Sequence, residues 1–189
     1  WCFRRQVKGL IVSWLRTWRG QVTADGKLAW WLLLASVPAA AAGFLWEDVI
    51  EEYFRSSTVV VLMLVLVGLA FVLIEKIARQ RLDLYAVNWK KGLLIGFFQV
   101  LALIPGTSRY GITIIAGMGT GLKREAAVRF SFLMSIPVIA GASLLKLPNL
   151  WQNSLSVEQW LIIGIAFAGS FLSALWAINF FIGFASRHK

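Results

Sequence analysis

The chain has 189 residues, 59% of them hydrophobic and 15% charged, with a formal net charge of +10. This composition excludes an ordinary soluble domain of that size and fits an integral membrane protein. The basic excess does not point to nucleic acid, because the Lys and Arg residues fill the gaps between apolar segments and no nucleic-acid recognition motif accompanies them. One cysteine, Cys2, excludes an intramolecular disulfide, and the one histidine, His188, lies near the chain end. No cluster of His, Cys and carboxylates has metal-ligand spacing.

The chain opens at Trp1 without an initiator Met and without a signal-peptide pattern, so it reads as a fragment. Residues 3–18 carry Phe3, Val7, Leu10, Ile11, Trp14, Leu15 and Trp18 at helical spacing among basic residues. An interfacial amphipathic helix fits this pattern, and so does a cytoplasmic helix packed on the bundle. Membrane spans need about 20 apolar residues. Leu28 to Trp46, Thr58 to Ile74, Phe130 to Leu147 and Trp160 to Phe184 qualify. Pro38 and Pro137 predict kinks inside the first and third. Most Trp residues lie near span ends or in the amphipathic segment, as interface anchors do. Ser36-Val37-Pro38 and Ser135-Ile136-Pro137 form a weak internal repeat, of the kind that builds midplane sites in transporter-like folds.

Residues 92–121, GLLIGFFQVLALIPGTSRYGITIIAGMGTG, are too long for one span and are broken at Pro105-Gly106. Each arm measures ~20 Å at helical rise, enough to reach mid-bilayer and return. The segment predicts a re-entrant helical hairpin with its tip at Pro105 to Arg109. Irregular backbone at that depth requires burial in protein or a wet cavity.

The loop charges agree. Before the first span lie Arg4, Arg5, Lys8, Arg16, Arg19 and Lys27 against Asp25; after it come Glu47, Asp48, Glu51 and Glu52 against Arg55. The next loop holds Lys76, Arg79, Arg81, Lys90 and Lys91 against Glu75 and Asp83. Lys123, Arg124 and Arg129 follow the hairpin, against Glu125; Pro148 to Gln159 has only Glu158; the tail has Arg187 and Lys189. The positive-inside rule gives in, out, in, in, out, in, which alternates correctly only if 92–121 enters and leaves on one side. The expected architecture is an all-α integral membrane protein. It has four transmembrane helices plus the hairpin, in a single transmembrane domain over 1–189, as part of a larger bundle with inverted repeats.

Arg109 is the one charge within 92–121. An arginine at the bilayer centre costs roughly 2.5 to 3.5 kcal/mol on insertion scales. Thr107 or Ser108 can cap the second arm, leaving first-turn N–H groups aimed at the tip. With Arg109 they form a cradle for phosphate. Thr113 lies four residues on, along the same helix face, and Gly111 allows close approach. Gly92, Gly96, Gly117 and Gly121 suit tight helix contacts. A structural reading competes: caps and packing glycines alone, with Arg109 paired to a carboxylate or to backbone carbonyls.

The run Gln99 to Thr113, QVLALIPGTSRYGIT, resembles the second signature of the undecaprenyl-pyrophosphate phosphatase family, the bacitracin-resistance type. That signature is Pro-Gly-x-Ser-Arg-Ser-Gly-x-Thr preceded by Gln and apolar residues. EAAVRFSFLMSIPVIAGA and LAWWLLLASVPAAAAGFLWEDVIEEYF are similar to the family too, so the resemblance runs from about Leu10 to Ala185. Tyr110 stands where the family usually has Ser. The family's first signature, paired glutamates and a Pro-x-Ser-Ser-x-Gly-His run, is absent, as is its last span. The resemblance implies a central fragment, inactive alone.

It further implies hydrolysis of a C55 polyprenyl diphosphate to the monophosphate carrier of cell-wall peptidoglycan synthesis, in the bacterial cytoplasmic membrane. A divalent cation, Mg or Ca, is expected, with ligands outside this chain. Ser108 and Arg109 are the expected catalytic residues. Gln99, Gly106, Thr107, Ser108, Arg109, Gly111 and Thr113 are the expected phosphate site, and the lipid and the bilayer are the partners. Oligomeric state is open. A transporter or flippase that carries an anionic head group from the same half-helix site is the alternative. A histidine-dependent membrane acid phosphatase would need a core His, and the one His is His188.

Overall fold

The computed structural model describes residues 4–152 and 156–187, and the regular elements among them are helices. In chain order they are α1 (Arg4–Thr17), α2 (Ala24–Phe54), α3 (Ser57–Ile77), α4 (Trp89–Val100), α5 (Arg109–Gly119), α6 (Arg124–Gln152) and α7 (Val157–Arg187). Single 3₁₀ turns at Leu84–Ala86 and Leu101–Leu103 flank α4. Four stretches are long and apolar enough to cross a membrane: Ala24–Trp46 in α2, Ser57–Ile77, Arg124–Leu145 in α6 and Val157–Ala177 in α7. The chain is an all-α membrane protein, with spans where its apolar runs predict them. Cys2, Phe3 and His188 lie outside the described residues.

Caps explain several boundaries. The Thr23 hydroxyl accepts from the Gly26 N–H at 3.1 Å and opens α2; the Ser56 hydroxyl accepts from the Val59 N–H at 3.2 Å and opens α3. Ser156 and Gln159 form a reciprocal capping box at the start of α7, with bonds of 2.9 and 3.3 Å.

Two sequence expectations need correction. The acidic segment after the first span is not a loop: α2 continues through it to Phe54, and only Arg55 and Ser56 separate α2 from α3. Glutamates are good helix formers, and net charge alone does not distinguish a helix end from a loop. The non-helical dihedrals inside α2 fall at Trp46 (φ −125°, ψ 18°). The stretch Pro148 to Gln159, expected as a loop, begins as helix, because α6 runs to Gln152; residues 153–155 lie outside the described set.

The chain divides into two compact units, one covering residues 4–143 and one 144–187. In the second, the end of α6 is followed by α7. In the first, the α4–α5 hairpin is the centre, and its glycines decide what it touches. A Cβ on Gly96 would run into the Ala35 carbonyl, and one on Gly92 would lie 3.2 Å from the Trp31 carbonyl, so α4 packs backbone to backbone on α2. A Cβ on Gly117 would approach Ala127 of α6 at 2.9 Å. Ile95, Met118, Phe130, Leu133 and Met134 fill the space between, each at most 2% exposed. Gly121 does not pack two helices as its spacing suggests. Its φ is +91°, and the Leu122 N–H to Gly117 carbonyl and Gly121 N–H to Met118 carbonyl bonds make it the turn glycine that ends α5.

Amphipathic α1 buries Leu10 and sets Trp14 against Trp30 of α2 at 5.8 Å between ring centroids; the Trp30 Nε1–H donates to the Thr17 hydroxyl at 3.1 Å. Helix α1 is thus docked on α2. The Tyr85 hydroxyl donates to Asp25 at 2.8 Å. That bond, with burial and the carboxylate charge adding to it, raises the phenol above its ordinary pKa.

Candidate functional site

The two arms of the hairpin meet in a tight turn. The Thr107 N–H donates to the Ile104 carbonyl at 3.1 Å across Pro105-Gly106. Pro at the second position and Gly at φ +89° in the third are what a type II turn demands. The Gly106 backbone lies directly on Val60 of α3, where a Cβ would collide with the Val60 carbonyl. The tip is therefore seated against a neighbouring span.

Helix α5 begins at once. Ser108 is its N-cap, with β-region dihedrals, and its hydroxyl accepts from the Gly111 N–H at 3.1 Å. Arg109 is the first helical residue, and the first turn contains no acidic side chain. A cation there adds to the positive end of the helix dipole, where acidic groups are the favourable choice. Such a placement is explained when both charges face a shared anion. Ser108 and Arg109 are exposed, and none of the ion pairs among the described residues involves Arg109. The competing reading, an arginine paired with a carboxylate within the fold, finds no such pair among the described residues.

The remaining predicted site residues fall in two places. Gly106 and Thr107 stand at the tip beside Ser108. Gly111 is half-buried; a Cβ there would press on the Ser108 hydroxyl at 3.2 Å and on Val67 of α3 at 3.2 Å, so it leaves room for the cap. Gln99 and Thr113 lie inside. Gln99 is 2% exposed, on the α4 stripe with Gly92, Ile95 and Gly96 that faces α2. Neither of its amide atoms, nor the buried Thr107 hydroxyl, has a hydrogen-bond partner among the described residues. Leaving such groups unpaired costs about 1 to 3 kcal/mol each, which singles them out from ordinary core residues. Thr113 is 1% exposed, and its hydroxyl lies 2.8 Å from the Arg109 carbonyl, 3.2 Å from the Tyr110 carbonyl and 2.5 Å from the Ser131 hydroxyl.

Sequence reasoning passed over Ser131 and its neighbour Phe132. The Tyr110 ring lies on Phe132 with centroids 4.7 Å apart. The available signal was a lone hydroxyl between two aromatics in a predicted span, Phe130-Ser131-Phe132.

Three of the described carboxylates are held in ion pairs elsewhere. Asp83 pairs with Lys123 at 2.8 Å, Glu75 with Arg124 at 2.7 Å and Glu125 with Arg129 at 2.8 Å, all at the base of the hairpin. No group of three His, Cys, Asp or Glu side chains among the described residues could hold a metal ion. The donors among the described residues do not fit a divalent cation.

The described residues make an all-α membrane protein in which a helical hairpin presents a capped helix start and an arginine. The family model of bacitracin resistance protein BacA matches residues 1–189, and the chain belongs to that family. The family implies undecaprenyl-pyrophosphate phosphatase activity in general.

Proposed function

We propose that this chain carries one half-site of an enzyme that hydrolyses C55 polyprenyl diphosphate to the monophosphate and inorganic phosphate. The carrying observation is Arg109, exposed at the first position of α5 beside the Ser108 cap, with no ion pair among the described residues. A diphosphate head group fits this cradle. The guanidinium grips two phosphate oxygens, and the N–H groups of Arg109 and Tyr110, which precede the first intrahelical bond, face the same anion. These donors act where charge grows on the bridging oxygen as the phosphoanhydride breaks.

Ser108, Thr107 and Gln99 are proposed as further contacts to the head group, and Gly106 and Gly111 as residues that shape the cradle. The proposal includes a divalent cation held by ligands outside this chain, α1 lying at the membrane interface, and residence in the bacterial cytoplasmic membrane. It also holds residues 1–189 alone to be inactive, since positioned donors without a metal or an activated water lower the barrier little.

The test is phosphate release from C55 diphosphate by the full-length protein in detergent. Release that follows enzyme concentration supports the phosphatase. Binding of the lipid without release favours the transporter reading of the same half-helix site.

A further inference from the structure

We infer that Ser131 is a positioning residue, which holds the first turn of α5 in place by donating a hydrogen bond to Thr113. This deepens, and rests on, the reading of Ser108 and Arg109 as a diphosphate cradle. A threonine hydroxyl has one proton and two lone pairs. The Thr113 hydroxyl lies closest, among backbone acceptors, to the Arg109 carbonyl at 2.8 Å, with the Tyr110 carbonyl at 3.2 Å. Carbonyls only accept, so the one proton of Thr113 is directed at the backbone. The Ser131 hydroxyl, 2.5 Å away, must then be the donor to Thr113.

Two consequences follow. Thr113 has no proton left to donate to an anion. Its part in phosphate binding is therefore indirect, through the carbonyls of the two residues whose N–H groups begin the helix. Secondly, α6 grips that turn at adjacent residues: Ser131 holds Thr113 on the buried side, and the Phe132 ring packs at a tilt against the more exposed Tyr110. Arg109 lies in the turn so held. A shift of this turn moves guanidinium, cap and N–H donors together, and a misplacement of an ångström is enough to lose the binding geometry.

The test compares Ser131→Ala, Thr113→Val, the double variant and Thr113→Ser in the full-length protein. Binding of inorganic diphosphate is measured by calorimetry, and kcat and KM with polyprenyl diphosphate, all per folded molecule by size-exclusion recovery. Loss of about tenfold in diphosphate affinity is expected for Ser131→Ala and for Thr113→Val, a scale set by small displacements of binding groups. The double variant is expected to be no weaker than the worse single one, and Thr113→Ser to keep wild-type affinity because it keeps the hydroxyl. A merely structural role changes the folded fraction and leaves the affinity of the folded protein alone. Wild-type affinity in Ser131→Ala overturns the inference, as do losses that multiply in the double variant. If Ser131→Ala does not fold, Thr113→Ser decides: affinity as poor as that of Thr113→Val overturns it. Wild-type protein that releases no phosphate overturns the phosphatase reading instead, and diphosphate affinity still decides the role of Ser131.

Discussion

The Lys123 N–H donates to the Leu82 carbonyl at 2.8 Å, and the Leu82 N–H returns to the Gly121 carbonyl at 3.0 Å. The strand of chain entering the hairpin is thereby tied to the strand leaving it. The re-entrant hairpin that the loop charges predict would put both flanks of 92–121 on one side of the membrane. In a background without Cys2, Lys90→Cys and Lys123→Cys are expected to react with a membrane-impermeant thiol reagent from the same face of sealed vesicles. Labelling from opposite faces contradicts the hairpin.

The seating of the tip gives a second expectation. Gly106 and Gly20 both have positive φ, +89° and +78°, but a Cβ on Gly106 meets Val60 while one on Gly20 meets nothing within 4 Å. Alanine at a positive φ is strained at either site, by about 1 kcal/mol. Gly106→Ala adds a backbone collision and should lower the unfolding midpoint in detergent well beyond Gly20→Ala. Equal midpoints would mean that the tip does not rest on α3.

Packing of α4 on α2 is tested at Gly96, whose backbone abuts Ala35. Gly96→Leu should force the helices apart and reduce the yield of monodisperse protein. Gly68→Leu, at a position with nothing within 4 Å, is the control and should behave as wild type.

Ser108 separates capping from chemistry. Loss of its bond to the Gly111 N–H costs about 1 kcal/mol of stability. Ser108→Ala in the full-length protein should therefore cut phosphate release far more than it shifts thermal unfolding. Normal turnover would leave Ser108 as a cap alone.

Much of this molecule is legible in sequence because bilayer physics is one-dimensional. Apolar length marks the four spans. Pro105-Gly106 and the hydroxyls after it announce a turn and a new helix, and Ser108 does cap α5. What escaped is three-dimensional. Spacing alone puts Thr113 on the Arg109 face, but whether a hydroxyl there meets ligand or protein depends on α6, and Ser131 lies across that contact. Likewise Gly121 shares the four-residue spacing of Gly117 yet ends the helix, since spacing does not reveal backbone hand. The acidic run after Trp46 reads as a loop by charge and folds as helix, because helix formation tolerates carboxylates wherever they stay solvated.

The central claim is that Arg109 grips a diphosphate with a planar two-point fork. Its most direct test is steady-state phosphate release from C55 diphosphate by the full-length protein and by Arg109→Lys, at matched folded concentration. Lysine keeps the charge and loses the fork. The account predicts a loss of about a hundredfold or more, the scale of removing a positioned transition-state donor. Near-wild-type turnover in Arg109→Lys would contradict it.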